Sequence, residues 1–285
     1  MYLSNIDNSL DLHCIMKSIF LFLLLFCFNS LTIGQGNVDG FFKPKGELDV
    51  ALSSSFGNST RYFTGNNLIA YDRNQLILSA YANYGLSNRF NLIISLPVIN
   101  FKFQDAAVFA KLKLVQKNMS KGEISLFPSV GISFPTHKYE TESGQSIGQR
   151  ATILQPKLIA QYKSNKGWFL QGQMGYNYSF FPVPSSIAAS CKIGYIYKQW
   201  YLDLWYDYQY GIGGRDYASE LGGPLNSFRD LGVSYNRIGG VVYKNIGDKW
   251  GLFLNGSLIY NGRNISELIV FGAGVVFKFK KGLPK

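Results

Sequence analysis

Residues able to do chemistry are few in this chain, and most of them are spaced two apart. Beyond the first forty residues the only histidine is His137, flanked by Thr136 and Lys138. Ser133 and Ser143 are the nearby hydroxyls with which it could form a nucleophile–base pair, but a lone histidine in a polar loop is usually just solvated. Asp203 and Asp207 share one face if their segment is a strand, about 13 Å apart by strand rise. That is too far for one metal ion, and an ion pair with Lys192 suits them better. Gly211-Ile-Gly-Gly214 opens no helix after a parallel strand, so a phosphate-binding loop is not indicated. No catalytic residue, metal or cofactor is expected.

What remains is a set of charges at alternate positions: Asp49, Lys111, Lys113, Glu123, Lys157, Lys192, Asp203, Asp207 and Asp230. In strands these fall on one face. Burying unpaired charge is costly, so that face needs water or mutual pairing. Lys111, Lys113, Glu123, Lys157, Lys192, Asp203 and Asp207 are therefore the candidate lumen-lining residues, forming a solute path or a salt-bridge network.

The elements that would position them have a period of two. In the segment 168–180, Trp168, Leu170, Met174, Tyr176, Tyr178 and Phe180 alternate with Gln171, Gln173, Gly175, Asn177 and Ser179. Similar segments predict twelve strands: 46–56, 74–86, 89–100, 105–116, 122–134, 150–163, 167–180, 185–197, 200–211, 228–243, 248–261 and 266–279. Connections after even strands are short, whereas 57–73, 135–149 and 212–227, after odd strands, are long. An even strand count, short turns at one end and long loops at the other are the marks of an all-β, up-and-down transmembrane antiparallel β-barrel of the bacterial outer membrane. Leu92, Ile94, Leu96 and Val98, Leu158 and Ala160, Leu202 and Leu204, and Phe271 to Phe277 at alternate places face lipid in this reading. Tyr84, Phe90, Phe134, Tyr162, Trp168, Tyr197, Trp200 and Trp250 near strand ends suit interfacial girdles. Arg237 is a misfit: the register places it outward with Tyr235 and Gly239, unless a β-bulge near Gly239-Gly240 turns it inward.

Composition agrees. Charged residues make up 16% of the 285-residue chain and aromatics 16%, against about 25% charge in soluble domains. No run approaches the roughly 20 apolar residues of a membrane helix. The one apolar run, 19–28, follows Met16-Lys17 and precedes Thr32-Ile33-Gly34, as in a secretory leader. The expected organisation is a signal peptide over 1–34, with Met16 as an alternative start. A periplasmic N-terminal segment over 35–45 and the barrel over 46–285 follow. Cys14 and Cys27 leave with the leader, so Cys191 has no intramolecular partner. The net charge of +11 is scattered, which fits lipopolysaccharide phosphates or a pore lining better than nucleic acid.

Asn83-Tyr-Gly-Leu-Ser-Asn-Arg-Phe-Asn-Leu92 resembles the YGLTDRL strand-turn-strand of the outer-membrane family named for the meta-pathway of phenol degradation. Leu96-Pro97, Gly131-Ile-Ser-Phe-Pro-Thr136 (G-x-x-x-P-T) and Gly167-Trp168 continue the similarity in order, over about 46–279. The chain departs from it with a short hairpin over 100–104, where relatives carry a glycine-rich turn. The resemblance implies an outer-membrane barrel that passes small, often aromatic molecules, and it carries over no catalytic residue. Two functions stay open. One is a channel or transporter for small solutes, its lysines favouring anionic or aromatic ones. The other is a non-transporting structural or adhesion barrel whose outer loops bind a partner.

Overall fold

The computed structural model describes residues 38–280 except 66, 142–147 and 218–226. The leader and Ser143 lie outside the described residues. Alternating polarity produces fourteen strands: β1 (Leu48–Thr64), β2 (Asn67–Ser87), β3 (Phe90–Ile99), β4 (Lys102–Phe103), β5 (Asp105–Leu112), β6 (Val115–Met119), β7 (Gly122–Pro135), β8 (Ile153–Ser164), β9 (Trp168–Ser179), β10 (Ser186–Tyr197), β11 (Trp200–Gly211), β12 (Ser234–Ile246), β13 (Trp250–Arg263) and β14 (Ile265–Phe279). Each pairs antiparallel with its neighbour, and β14 pairs β1 in register from Leu48↔Phe279 to Asn58↔Ile269, which closes the barrel. The two-residue β4 is the return of a tight hairpin on β3, turned at Asn100 and Phe101, both at positive φ. β6 pairs only β7 and continues β5 past a break at Lys113-Leu114. Twelve strands make up the wall, as expected.

Closure removes every edge within the apolar belt, which a barrel in hydrocarbon requires. The outer face is apolar there: Leu52, Ile94, Val130, Leu158, Leu170, Leu204, Leu254 and Phe271 are all exposed. Trp168, Trp200 and Trp250 stand exposed at the first residues of β9, β11 and β13. Inside, Lys111, Gln155, Gln171, Asn177, Asp203, Asp207 and Arg237 are buried. This inverted polarity is that of a membrane-spanning barrel.

Three expectations need correction. Residues 57–73 form no loop: β1 and β2 stay paired to Thr64↔Asn67, across a register shift between Ser59 and Arg61. Beyond the lipid, a hairpin needs no apolar outer face, so its alternation fades while its hydrogen bonds persist. Asp230 is not on a strand. It ends a short 3-10 turn, Phe228–Asp230, capped by the Ser227 hydroxyl, and β12 begins only at Ser234. Arg237 does face inward, but without a bulge in β12. The β11–β12 register runs unbroken from Trp200↔Lys244 to Gln209↔Tyr235, so Tyr235, Arg237 and Gly239 all point into the lumen. The irregularity sits in β13, where Asn236↔Asn261 is followed by Arg237↔Ile259 and Tyr260 is the extra residue.

Candidate functional site

The lumen holds part of the chain itself. Residues 38–43 run down its axis, and the chain then reverses at Pro44–Gly46 to enter β1. Glu47 N–H donates to Pro44 O, and Gly46 N–H donates to Gly85 O. Gly46 takes φ 82°, which suits glycine. Gly85 is needed for a different reason: a Cβ there would strike the Pro44 carbonyl. The segment 35–45, expected below the barrel, thus has its described part, from Val38 on, within it.

On one side the segment meets an apolar sector of the wall. Val38 is buried among inward-facing Ile93 of β3, Ala107 and Phe109 of β5, Phe127 of β7 and Ile159 of β8. Phe42 packs edge-on to Phe127 at 5.1 Å. On the other side it meets polar groups. Val38 N–H donates to Gln173 Oε1 at 3.3 Å, and Gln171 Nε2 donates to Val38 O at 3.0 Å. Phe41 packs edge-on against Phe169 and Tyr201. Gly40 passes so close to the Gln161 and Gln171 amides that a side chain would collide with both.

The lumenal charges form three groups. Lys111, fully buried, donates to the carbonyls of Asp39 and Phe41 at 2.5 and 2.6 Å, which fastens the segment. Lys111 and Lys113 both lie over the Phe42 ring, at 4.7 and 4.8 Å. Lys43 pairs with Asp49 where the chain turns. Second, Lys192 and Asp203 form an ion pair at 3.1 Å between β10 and β11, and Tyr201 OH donates to the same carboxylate at 2.6 Å. Third, Arg237 pairs with Asp207 and lies over Trp205 at 4.8 Å. Lys157 and Asp207 line one small cavity with Gln155, Gln173, Asn177 and Tyr235, and Lys157 lies over Phe109 at 4.9 Å. Glu123 joins none of these groups. It accepts from Gln116 at 2.6 Å and Ser125 at 3.1 Å within the β6–β7 hairpin, at the short-turn rim.

The sequence reading did not single out the neutral amides as a group. Gln155, Gln161, Gln171, Gln173 and Asn177 are buried on the inner faces of β8 and β9, each with one amide atom lacking a protein partner. Such atoms need water or a ligand. The only signal in the sequence was the polar half of the β9 alternation. Among the described residues no group of three or more His, Cys, Asp or Glu could hold a metal ion.

Two long connections cover the other end. Gln149 donates to Leu231 O at 2.9 Å. Arg229, on the 3-10 turn, donates to Gln149 O at 3.0 Å and Arg150 O at 3.1 Å. Tyr139 OH donates to Asp105 at 2.7 Å and accepts from Arg150 N–H. Burial first, then the Asp105 charge, raise the Tyr139 phenol well above its ordinary range, so it stays a donor. His137 reaches Thr136 Oγ1 at 3.1 Å and lies beside the Tyr139 ring, with Ser133 buried elsewhere against Gln155.

A twelve-stranded wall with an inward-folded N-terminal segment can be compared with solved structures. The barrel matches the crystal structure of an outer membrane channel from Pseudomonas putida F1 at TM-score 0.63 and 13% identity, covering 87% of this chain and 100% of that one. The shared fold is a closed antiparallel β-barrel of the outer-membrane type. The NanC porin also matches, at TM-score 0.56 and 11% identity over 81% of this chain and 100% of its own. No family model and no curated protein matches the chain. At such identities the likeness is one of barrel architecture.

Proposed function

We propose that the protein is an outer-membrane channel for small solutes, closed at rest by its own residues 38–43. The observation that supports this most is the character of the closure. Among the described residues, what enters the lumen is not a folded domain but six residues turned back at Gly46, fastened by Lys111 and a few amide hydrogen bonds. Displacing them would leave a wall lined by Lys111, Lys113, Lys157, Lys192 and Arg237 against Asp49, Asp203 and Asp207. This excess of cations favours anionic solutes. The apolar sector around Phe109 and Phe127 favours solutes that also carry an apolar or aromatic body, in keeping with the sequence resemblance at 83–92.

Swelling of liposomes containing the purified protein, with neutral, anionic and aromatic solutes of graded size, tests it. Flux of small solutes, faster for anions than for cations of equal size, is expected. No flux of any solute from the intact protein or one lacking 38–43 would leave a structural or adhesion barrel.

A further inference from the structure

At the long-loop rim, away from the lumenal groups, a cavity of about 390 Å³ opens to solvent between the tops of β7, β8 and β9 and the 3-10 turn. His137, Lys138, Arg150 and Arg229 line it together with Phe180 and Phe181, and among the described residues no carboxylate does. Its cations are held in place by neutral groups. Arg150 Nη1 donates to Tyr139 O at 2.9 Å, and Arg229 uses Nε and Nη2 on the carbonyls of Gln149 and Arg150. The guanidinium groups are thus oriented by neutral carbonyls, with the Asp105 carboxylate near enough to feel both charges. Lys138 is exposed, with no partner among the described residues. Asp105, the nearby carboxylate, is already engaged by Tyr139 OH and Ala151 N–H. Arg150 is held at φ 49°, in the left-handed region, by its N–H bond to the Tyr139 hydroxyl.

The aromatic side of the cavity belongs to the lipid-facing surface. Phe180 continues the outward series Met174, Tyr176, Tyr178 of β9 and packs edge-on to Tyr178 at 5.4 Å. Phe181 beside it is 96% exposed. Fixed cations directly above an apolar wall, at the level where acyl chains end and headgroups begin, form a site for a phosphate monoester borne on a lipid. A free anion would use the cations but not the rings. We propose that this pocket binds a phosphate of lipopolysaccharide, the anionic glycolipid of the outer leaflet. The inference rests on the outer-membrane placement proposed above, and bound phosphate would hold Lys138, Arg150 and Arg229 at the membrane surface, with Arg229 bonded to Gln149 and Arg150.

Native mass spectrometry of the full-length protein in detergent tests it without any channel activity. The probes are lipid A carrying both phosphates, lipid A stripped of them, and inorganic phosphate as a competitor. Expected are retention of the phosphorylated form only, about tenfold weaker binding for Lys138→Glu, and no competition at millimolar phosphate. Arg229→Lys, which keeps the charge, should bind better than Arg229→Gln. Equal retention of the stripped lipid, or unchanged binding in Lys138→Glu with its barrel intact by heat-modifiable migration, would overturn the proposal. Competition by phosphate would assign the site to free anions and overturn it too. Lipid retention without conductance would sink only the channel reading, and conductance without retention only this one.

Discussion

Two sectors of one wall hold the N-terminal segment in opposite ways. From β3 to β8 the inward residues Ile93, Phe109, Phe127 and Ile159 bury Val38 and receive Phe42. Around β9 to β12 the inward residues are Gln171, Gln173, Asn177, Lys192, Asp203, Asp207 and Arg237. Apolar contact loses its full value when water enters. A hydrogen bond exchanged for one to water loses only about 0.5–1.5 kcal/mol net. The segment is thus seated by its rings and Val38, Phe41 docking on β9 and β11, and oriented by hydrogen bonds from Gln171 and Gln173 and from Lys111 of β5. Release should begin along β9, where water can take over the bonds of Val38, and finish at Phe42.

Several substitutions would break or sharpen that contrast, and the double Phe41→Ala, Phe42→Ala should act most strongly. Loss of both rings costs the seat about 3 kcal/mol, discounted from full burial because Phe42 is only partly covered. The variant should show a persistently open conductance in planar bilayers, and a closed record would place the hold elsewhere. Next is Arg237→Ala, which takes from the buried Asp207 carboxylate its paired guanidinium and leaves Lys157 as the nearby cation. A loss of about 2–3 kcal/mol in urea-driven unfolding from vesicles is expected, without release of the segment. Increased conductance there would mean that the two sectors are not independent. Gly40→Val adds a branch where the Gln161 and Gln171 amides already meet the backbone. It should raise open probability less than the double alanine does, because the rings can still dock. The smallest effect is expected from Gln171→Ala, which removes one bond to Val38 O. At about 1 kcal/mol or less, it should alter flicker rather than mean current, and opening as large as that of the ring variant would invert the account.

How legible each feature was follows from the same contrast. Strands that face lipid on one side and water on the other write a two-residue period into the sequence, and their ranges were readable almost to the residue, as in Trp200–Gly211. The Lys192–Asp203 pair was readable from neighbouring strands sharing a face. Where that contrast of solvents fails, so does the reading. The β1–β2 hairpin leaves the lipid, so its pairing continues with no apolar signal. In β12, Tyr235 faces inward over Arg237, so reading an aromatic as lipid-facing shifted the register by one and made Arg237 look misplaced. The segment 38–43 has no period at all. It was therefore expected in the periplasm, because its docking surface is assembled only when β3, β5, β7, β8, β9 and β11 close around it.

The central claim, that this barrel encloses a solute path stopped by its own N-terminal segment, is tested most directly by protection of residue 38. In a Cys191→Ser background, Val38→Cys should resist a membrane-impermeant thiol reagent in the intact protein and react readily once Phe41 and Phe42 are both alanine. Reaction at the same fast rate in both proteins would mean that the segment does not occupy the lumen, and the closed channel described above would not exist.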